Sequence, residues 1–502
     1  GYASDVENIT ITANTEKNFQ LAQTAVEQNA VTVTGVSSAT RARQTPQPVD
    51  IIKREDFQKI TGTNAMDALA KAIPGVSGVG TGPAITKPFI RGLGYNRVLT
   101  INDGIRQEGQ QWGDEHGIEI DDYSIQKIEV LKGPASLMYG SDALAGVINI
   151  ISQVPVQEGT IKTELTSEYQ TNSRLKGFYG NLAGNKHGFS WNAYASYKAA
   201  ADYFNKYDGY VLNSKFKNTN LGAMAGYAGA WGFTRVSISN FDQKPGIVEG
   251  DRNASGHFIK PLPNGEEAAA TPADFRTVTP LIPFQHIRHY KMAVDNSFKM
   301  GNTRLDATVG YQHNQRQEFG NPDDMDTPDA WFSLKTITGS LRFHLPYHKN
   351  FKTTIGINLM NQDNKNLADE VIIPDYSFFD AGAFIYSQYS KDKLTISGGL
   401  RIDNRHIKAA SMVVDGEPKF TAFEKNFSNV SGSIGLSYEA NKTLALKANV
   451  AKGFRAPNMA ELGSNGAHEG TSRFEIGDKD LKSETSVQAD AGLEINTEHI
   501  SF

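Results

Sequence analysis

The stretch "RQEGQQWGDEHGIEIDD", residues 106–122, brings Glu108, Asp114, Glu115 and His116 close together in a glycine-punctuated loop. An imidazole beside carboxylates suits Zn²⁺ or a similar borderline cation. A solvated loop histidine is the plainer reading of His116 and stays open beside it. His468 and Glu469 form a second candidate pair, in a long connection after Phe454. The loop "NPDDMDTPD" from Asn321 adds Asp323, Asp324 and Asp326, which could coordinate a cation, attract one or simply be solvated. His286 and His289 begin a strand. Their odd separation turns only one of them toward any enclosed face. With no cysteine in the chain, thiolate sites, disulfides and cysteine nucleophiles are excluded together. No nucleophile and base pair stands out, so a catalytic cofactor or an enzyme is not expected.

These residues hang on two kinds of element. From Thr160 onward, segments of about ten residues alternate in polarity, as half-buried strands do. Tight turns fall at Gly184 to Gly188, Ala228 to Gly232, Met300 to Thr303, Tyr347 to Asn350, Ser390 to Lys393 and Ala440 to Thr443. Between them lie long connections: Lys198 to Thr219, Asp242 to Pro283, Phe319 to Trp331, Lys365 to Tyr376, Ile407 to Asn426 and Phe454 to Ser483. Short turns on one side and long loops on the other are the rhythm of a transmembrane β-barrel. About fourteen strands are expected before Asn496, and a fifteenth near His499. An open edge in hydrocarbon would leave backbone groups unpaired, so further strands are expected to follow. A smaller barrel ending at the aromatic Phe502 is the alternative.

The segment before Thr160 has a different grammar. Phe57 to Ile73 carries a helical rhythm stopped by Pro74 and Gly75. Short apolar strands then alternate with glycine turns at Pro88 to Gly92, Val98 to Asn102, Ile125 to Leu131 and Val147 to Ile151. This predicts a small mixed α/β domain over 46–153, ahead of an all-β barrel over 154–502.

Composition agrees with that division. Among 502 residues there are 47 glycines, 19 tyrosines and 26 phenylalanines, with 39 % apolar residues overall. No run approaches the ~18 apolar residues of a spanning helix, an absence that does not bear on strands. A formal charge of −5 with mixed signs offers no basic stripe for nucleic acid. The chain opens at Gly1 without an apolar h-region, so an export signal, if there was one, is expected to be gone already.

The ordered set "IPGV" at Ile73, "FIRGLG" at Phe89, "VLTINDGI" at Val98 and "IEVLKGPASLMYGSDALAGVINI" at Ile128 resembles the plug of the TonB-dependent outer-membrane receptors. Its marker residues here are Arg91, Gly92, Lys132, Gly133, Pro134 and Gly140. The resemblance implies a barrel of about 22 strands around that plug, with roughly eight still to come after Phe502. It also implies location in the outer membrane, lipid contact, and energy coupling through the TonB-ExbB-ExbD complex. Residues 1–27 look like the end of a small β-sandwich extension, followed by a linker over 28–45. Within the linker, Ala30, Val31, Thr32, Val33 and Thr34 resemble a TonB box, an extended β-branched segment suited to adding a strand to a partner sheet.

"GFRAPNMAEL" at Gly453, with Phe454, Arg455, Ala456 and Pro457, resembles the FRAP box of haem and zinc receptors in this family. The second box departs, with Asp478, Lys479, Asp480 and Leu481 at "IGDKDLKSETS". Within the resemblance, His468 is the candidate axial ligand for haem, and Arg91, Lys132 and Glu484 are candidates for an ionic contact that retains the plug. The function implied is import of zinc, iron, haem or another metal chelate. A haem or siderophore receptor specifically, and a passive porin or adhesive barrel, are the alternatives.

Overall fold

A computed structural model describes residues 32–33, 40–60, 62–110, 112–113, 116–133, 136–152, 154–414, 416–468 and 473–495. The N-terminal domain is a five-stranded mixed sheet and a separate two-stranded hairpin, with one two-turn helix. Its strands are β1 (Val49–Lys53), the hairpin β2 (Val76–Gly82) and β3 (Ile85–Ile90), β4 (Val98–Asn102), β5 (Ile105–Arg106), β6 (Lys127–Lys132) and β7 (Gly146–Ile151). The sheet order is β1-β6-β7-β4-β5, with β4 and β7 parallel and the other pairs antiparallel. Helix α1 (Ala65–Ala72) buries Met66 and Leu69 against Ile128, Val130, Ile148 and Ile150.

The single helical run expected over Phe57 to Ile73 is broken. A short helix Arg54–Phe57 precedes α1, which starts afresh because Asn64 caps it, its side chain accepting from the Met66 and Asp67 amides. Gly146 must be glycine: its φ is +153°, and a Cβ there would strike the Leu131 carbonyl.

Fourteen strands form one antiparallel sheet in chain order. They are β8 (Ile161–Gln170), β9 (Leu175–Lys186), β10 (Phe189–Ala200), β11 (Phe216–Gly229), β12 (Gly232–Pro245), β13 (Phe284–Met300) and β14 (Thr303–Phe319). There follow β15 (Ala330–His344), β16 (Phe351–Asn366), β17 (Tyr376–Lys391), β18 (Leu394–Ala409), β19 (Phe423–Glu439), β20 (Leu444–Arg455) and β21 (Glu484–Ile495). Several run to 16 or 17 residues, longer than the ten-residue segments read from polarity. The surplus lies at the long-loop end, where polar residues on both faces hide the alternation. No helix among the described residues is long and apolar enough to cross a membrane, so any crossing is made by strands.

Each strand turns apolar side chains outward, with Leu165 at 83 %, Leu400 at 63 % and Ile434 at 64 % exposure, while its alternate residues face the plug. The edges of the sheet are β8 and β21. The plug enters from the tight-turn end, where Arg43 donates to the Lys442 and Asn441 carbonyls, and its apex points toward the long loops.

Candidate ligand cleft at the plug apex

An Asp103–Gly104 turn, with φ of +53° and +80°, folds β4 back into β5 and delivers Arg106 to the apex. Arg106 pairs with Glu108 and Asp142, and donates to the Ser141 carbonyl at 3.0 Å. Arg405 on β18 reaches the same Asp142 at 3.3 Å and grips Asp380 at 2.6 and 2.7 Å. Burial alone would raise the Asp142 carboxyl; the guanidiniums of Arg405 and Arg106 outweigh it and hold it at about 2. Two arginines and three carboxylates thus lock plug to barrel beneath a cleft.

The cleft walls are aromatic. Trp112 from the plug faces Tyr376 and Phe378 of β17, with Ile407, Pro457 and Met459 completing an apolar rim. Tyr376 and Phe378 lie nearly parallel at 6.4 Å, and the Arg405 guanidinium sits 4.7 Å above the Phe378 ring. Gln362 joins the two sides, donating to Glu108 at 3.1 Å and accepting from the Tyr376 hydroxyl at 3.2 Å.

His116 is fully buried beneath this cleft. Its ring meets Trp112 edge-on at 5.0 Å, its Nδ1 faces the Gln110 carbonyl, and its Nε2 lies 3.0 Å from Glu318. With acceptors at both nitrogens, no lone pair is left for a metal in this arrangement. Glu108 faces the cleft, whereas Asp114, Glu115 and Glu469 lie outside the described residues. His468 belongs to a short hairpin, opposite Arg473. Asp323 accepts from the Asn264 amide and so ties its exposed loop to the neighbouring one, whereas Asp324 accepts from the Asp326 and Thr327 amides at 3.3 and 3.2 Å and stabilises its own. No group of three or more acidic or histidine ligands that could hold a metal occurs among the described residues. Of His286 and His289 only the second faces inward, as expected, and it meets Glu119 at 2.9 Å.

The retention contact differs from expectation. Glu484 does bind the plug, but its partner there is Arg97 at 2.6 Å, with Arg455 of the FRAP-like segment at 2.8 Å on its other side. Arg91 pairs instead with Asp490, and Lys132 stays within the plug, on Asp50 and the Pro74 carbonyl. Phe454, Arg455 and Ala456 are buried, and Arg455 also holds Glu461 with both terminal nitrogens. Gly92, Gly133 and Gly140 all take positive φ, and Gly133 and Gly140 abut barrel side chains Gln488 and Arg401. Pro134 is outside the described residues. Of the TonB-box-like segment, Thr32–Val33 pairs with Thr40–Arg41, while Ala30, Val31 and Thr34 are likewise outside. Sequence reasoning missed Trp112, Asp142, Arg97 and Arg405. Trp112 and Asp142 lie inside quoted motifs and Arg97 immediately precedes one, but nothing local marks Arg405 among the polar residues of its strand.

A small α/β plug seated within a large antiparallel sheet with apolar outer faces defines an outer-membrane receptor barrel. The profile of the TonB-dependent Receptor Plug Domain matches residues 41–147, and that of the TonB dependent receptor-like β-barrel matches residues 162–502. The chain belongs to the TonB-dependent receptors. It is 24 % identical to a probable TonB-dependent siderophore receptor, PirA, of Acinetobacter baumannii, over 90 % of this chain and 64 % of that protein. It is 37 % identical to an iron-regulated outer membrane virulence protein of Vibrio cholerae, over 28 % of this chain and 22 % of that one. The chain therefore spans less than two thirds of the length of these relatives. Its fold matches the copper transporter OprC at a TM-score of 0.70 and 16 % identity, covering 91 % of this chain and 70 % of that one. It matches the haemophore receptor HasR of Serratia marcescens, solved with its haemophore and haem, at 0.71 and 16 %, with the same coverage.

Proposed function

We propose that this receptor imports a metal chelate, rather than a bare metal ion, across the outer membrane with energy supplied through TonB-ExbB-ExbD. The aromatic cleft carries the reading. Trp112, Tyr376 and Phe378 offer flat faces to an unsaturated chelating group, while Arg106 and Arg405 offer cationic edges to its anionic oxygens. For a bare cation, no group of three or more histidine or acidic ligands is gathered among the described residues. The relatives' names point the same way, since they include siderophore and hemin receptors.

Fluorescence quenching of the purified receptor by a ferric catecholate, by hemin and by Zn²⁺ separates the readings, with Trp112→Phe as the reporter control. Quenching by a chelate that Trp112→Phe abolishes is expected. Tight binding of Zn²⁺ with neither chelate bound would overturn the proposal. Uptake of the labelled chelate should require the energy-coupling complex; equal uptake without it would indicate a passive barrel.

A further inference from the structure

One buried glutamine connects the two walls of the aromatic cleft. Trp112 sits in the plug loop that leaves β5, and its indole N–H donates to the side-chain oxygen of Gln110 at 2.7 Å. The nitrogen of the same amide donates to Asn364 Oδ1, on β16 of the barrel, at 2.6 Å. The backbone carbonyl of Gln110 faces His116 Nδ1 and can only accept from it. Gln110 and Asn364 are both fully buried, so a broken bond between them is not replaced by one to bulk water.

Asn364 owes its place to strand register and to nothing in the plug loop. It stands directly opposite Leu334 on one neighbouring strand and Tyr376 on the other. Tyr376 belongs to the wall that Trp112 faces. A single rung of the barrel therefore carries one wall of the cleft directly and reaches the other through Gln110. His116 and Phe332 of β15 also flank the indole, edge-on at 5.0 and 5.7 Å. Ring contacts of that kind tolerate sliding and tilting, whereas the N–H···O bond prefers one direction. Of the Asn364 amide it is the oxygen that is engaged: its Nδ2 has no hydrogen-bond partner among the described residues.

We infer that Gln110 and Asn364 are positioning residues for the chelate, holding Trp112 at the spacing from Tyr376 that a flat ligand fills. The inference rests on the chelate reading of the cleft. It makes the barrel wall part of the binding site, complete while the plug is seated against β16. Drawing the plug away from β16 breaks the Gln110–Asn364 bond, frees the indole and loosens the chelate in the same movement. Because these residues hold a wall and not the ligand, their loss acts on the lifetime of the complex more than on encounter.

The test uses the receptor in detergent with Trp191, Trp231 and Trp331 changed to Phe, so that Trp112 alone fluoresces. Acrylamide quenching reports how firmly the indole is held without ligand. Stopped-flow quenching by a ferric tris-catecholate and by hemin reports binding. Asn364→Leu should open Trp112 to acrylamide and speed chelate dissociation by about tenfold, with association changed by less than about twofold. Gln110→Met should do the same, and decides the matter alone if Asn364→Leu does not fold. Asn364→Asp keeps the acceptor oxygen and should bring both readouts back to near wild type. Asn181→Leu, which removes a buried amide of β9 outside the cleft, should alter neither. Unchanged acrylamide access and dissociation in the folded variants would overturn the assignment. So would a folded Asn364→Asp that fails to rescue, or an equal effect of Asn181→Leu, either of which would make Asn364 a packing residue. If the unsubstituted cleft binds neither chelate, the cargo reading falls, while acrylamide access still decides whether Asn364 holds Trp112.

Discussion

Two of the carboxylates that tie plug to barrel do so in opposite environments. Glu119 is buried at 3 % side-chain exposure, between Arg316 at 2.9 Å, His289 at 2.9 Å and Asn314 at 2.8 Å. Burial opposes its ionisation, yet His289, Arg316 and Asn314 together hold the carboxyl below its usual range. Glu484 also meets two cations, Arg97 and Arg455, but its side chain is 37 % exposed. The number of partners is similar; the dielectric is not. A buried charge that loses its partner cannot rehydrate, whereas an exposed one exchanges its partner for water at little cost. Retention through Glu119 is therefore firm, and retention through Glu484 is readily broken.

The largest expected effect follows from the buried member. Glu119→Ala strands Arg316 and His289 without their counter-charge and should destabilise the plugged barrel by about 3–5 kcal/mol, read as a lower midpoint in denaturant melts. A loss below about 1 kcal/mol would erase the contrast. Next, Trp112→Ala should weaken chelate binding by about 2 kcal/mol, roughly thirtyfold, with little change in melting temperature. An equal fall in both would make Trp112 a packing residue only.

Glu484→Gln should cost no more than about 1 kcal/mol and should lose that difference in high salt. A larger, salt-insensitive cost would place it with Glu119.

Acid and base should act differently on two further plug carboxylates. Burial, reinforced by Asp122, pushes Asp121 up to about 7, where it accepts from Ser196 at 2.9 Å. Because the folded value lies above the unfolded ~3.9, its contribution is complete below ~3.9 and is lost as pH rises through about 7. Asp142, held at about 2, has the opposite sign: its contribution is complete above ~3.9 and disappears as pH falls toward 2. Asp121→Asn should flatten the melting temperature between pH 4 and 7 relative to wild type. A pH profile identical to wild type would rule out Asp121 as its source.

How much of this was legible depended on range. Strands with alternating faces, turns such as Ala228 to Gly232, the glycine-marked β6 to β7 segment and the order of the fourteen-stranded sheet all follow from residues near one another in sequence. Local chemistry also grouped Glu108 with the loop around His116. It did not reveal that His116 faces acceptors on both nitrogens, because Glu318 lies 202 residues away and reaches it only through barrel register. The same reason explains why Arg97 rather than Arg91 meets Glu484, 387 residues along the chain. At Arg91 the backbone enters the left-handed region, with φ of +52°, and the side chain leaves toward Asp490 instead.

Periodicity, turn chemistry and motif order are set by steric preferences within a few residues, so the chain by itself determined a plug and an antiparallel outer-membrane barrel. The aromatic cleft and the Arg106–Asp142–Arg405 lock were decided only by tertiary structure. Each depends on which rung of one strand faces which rung of another, and a shift of one residue turns every side chain to the other face.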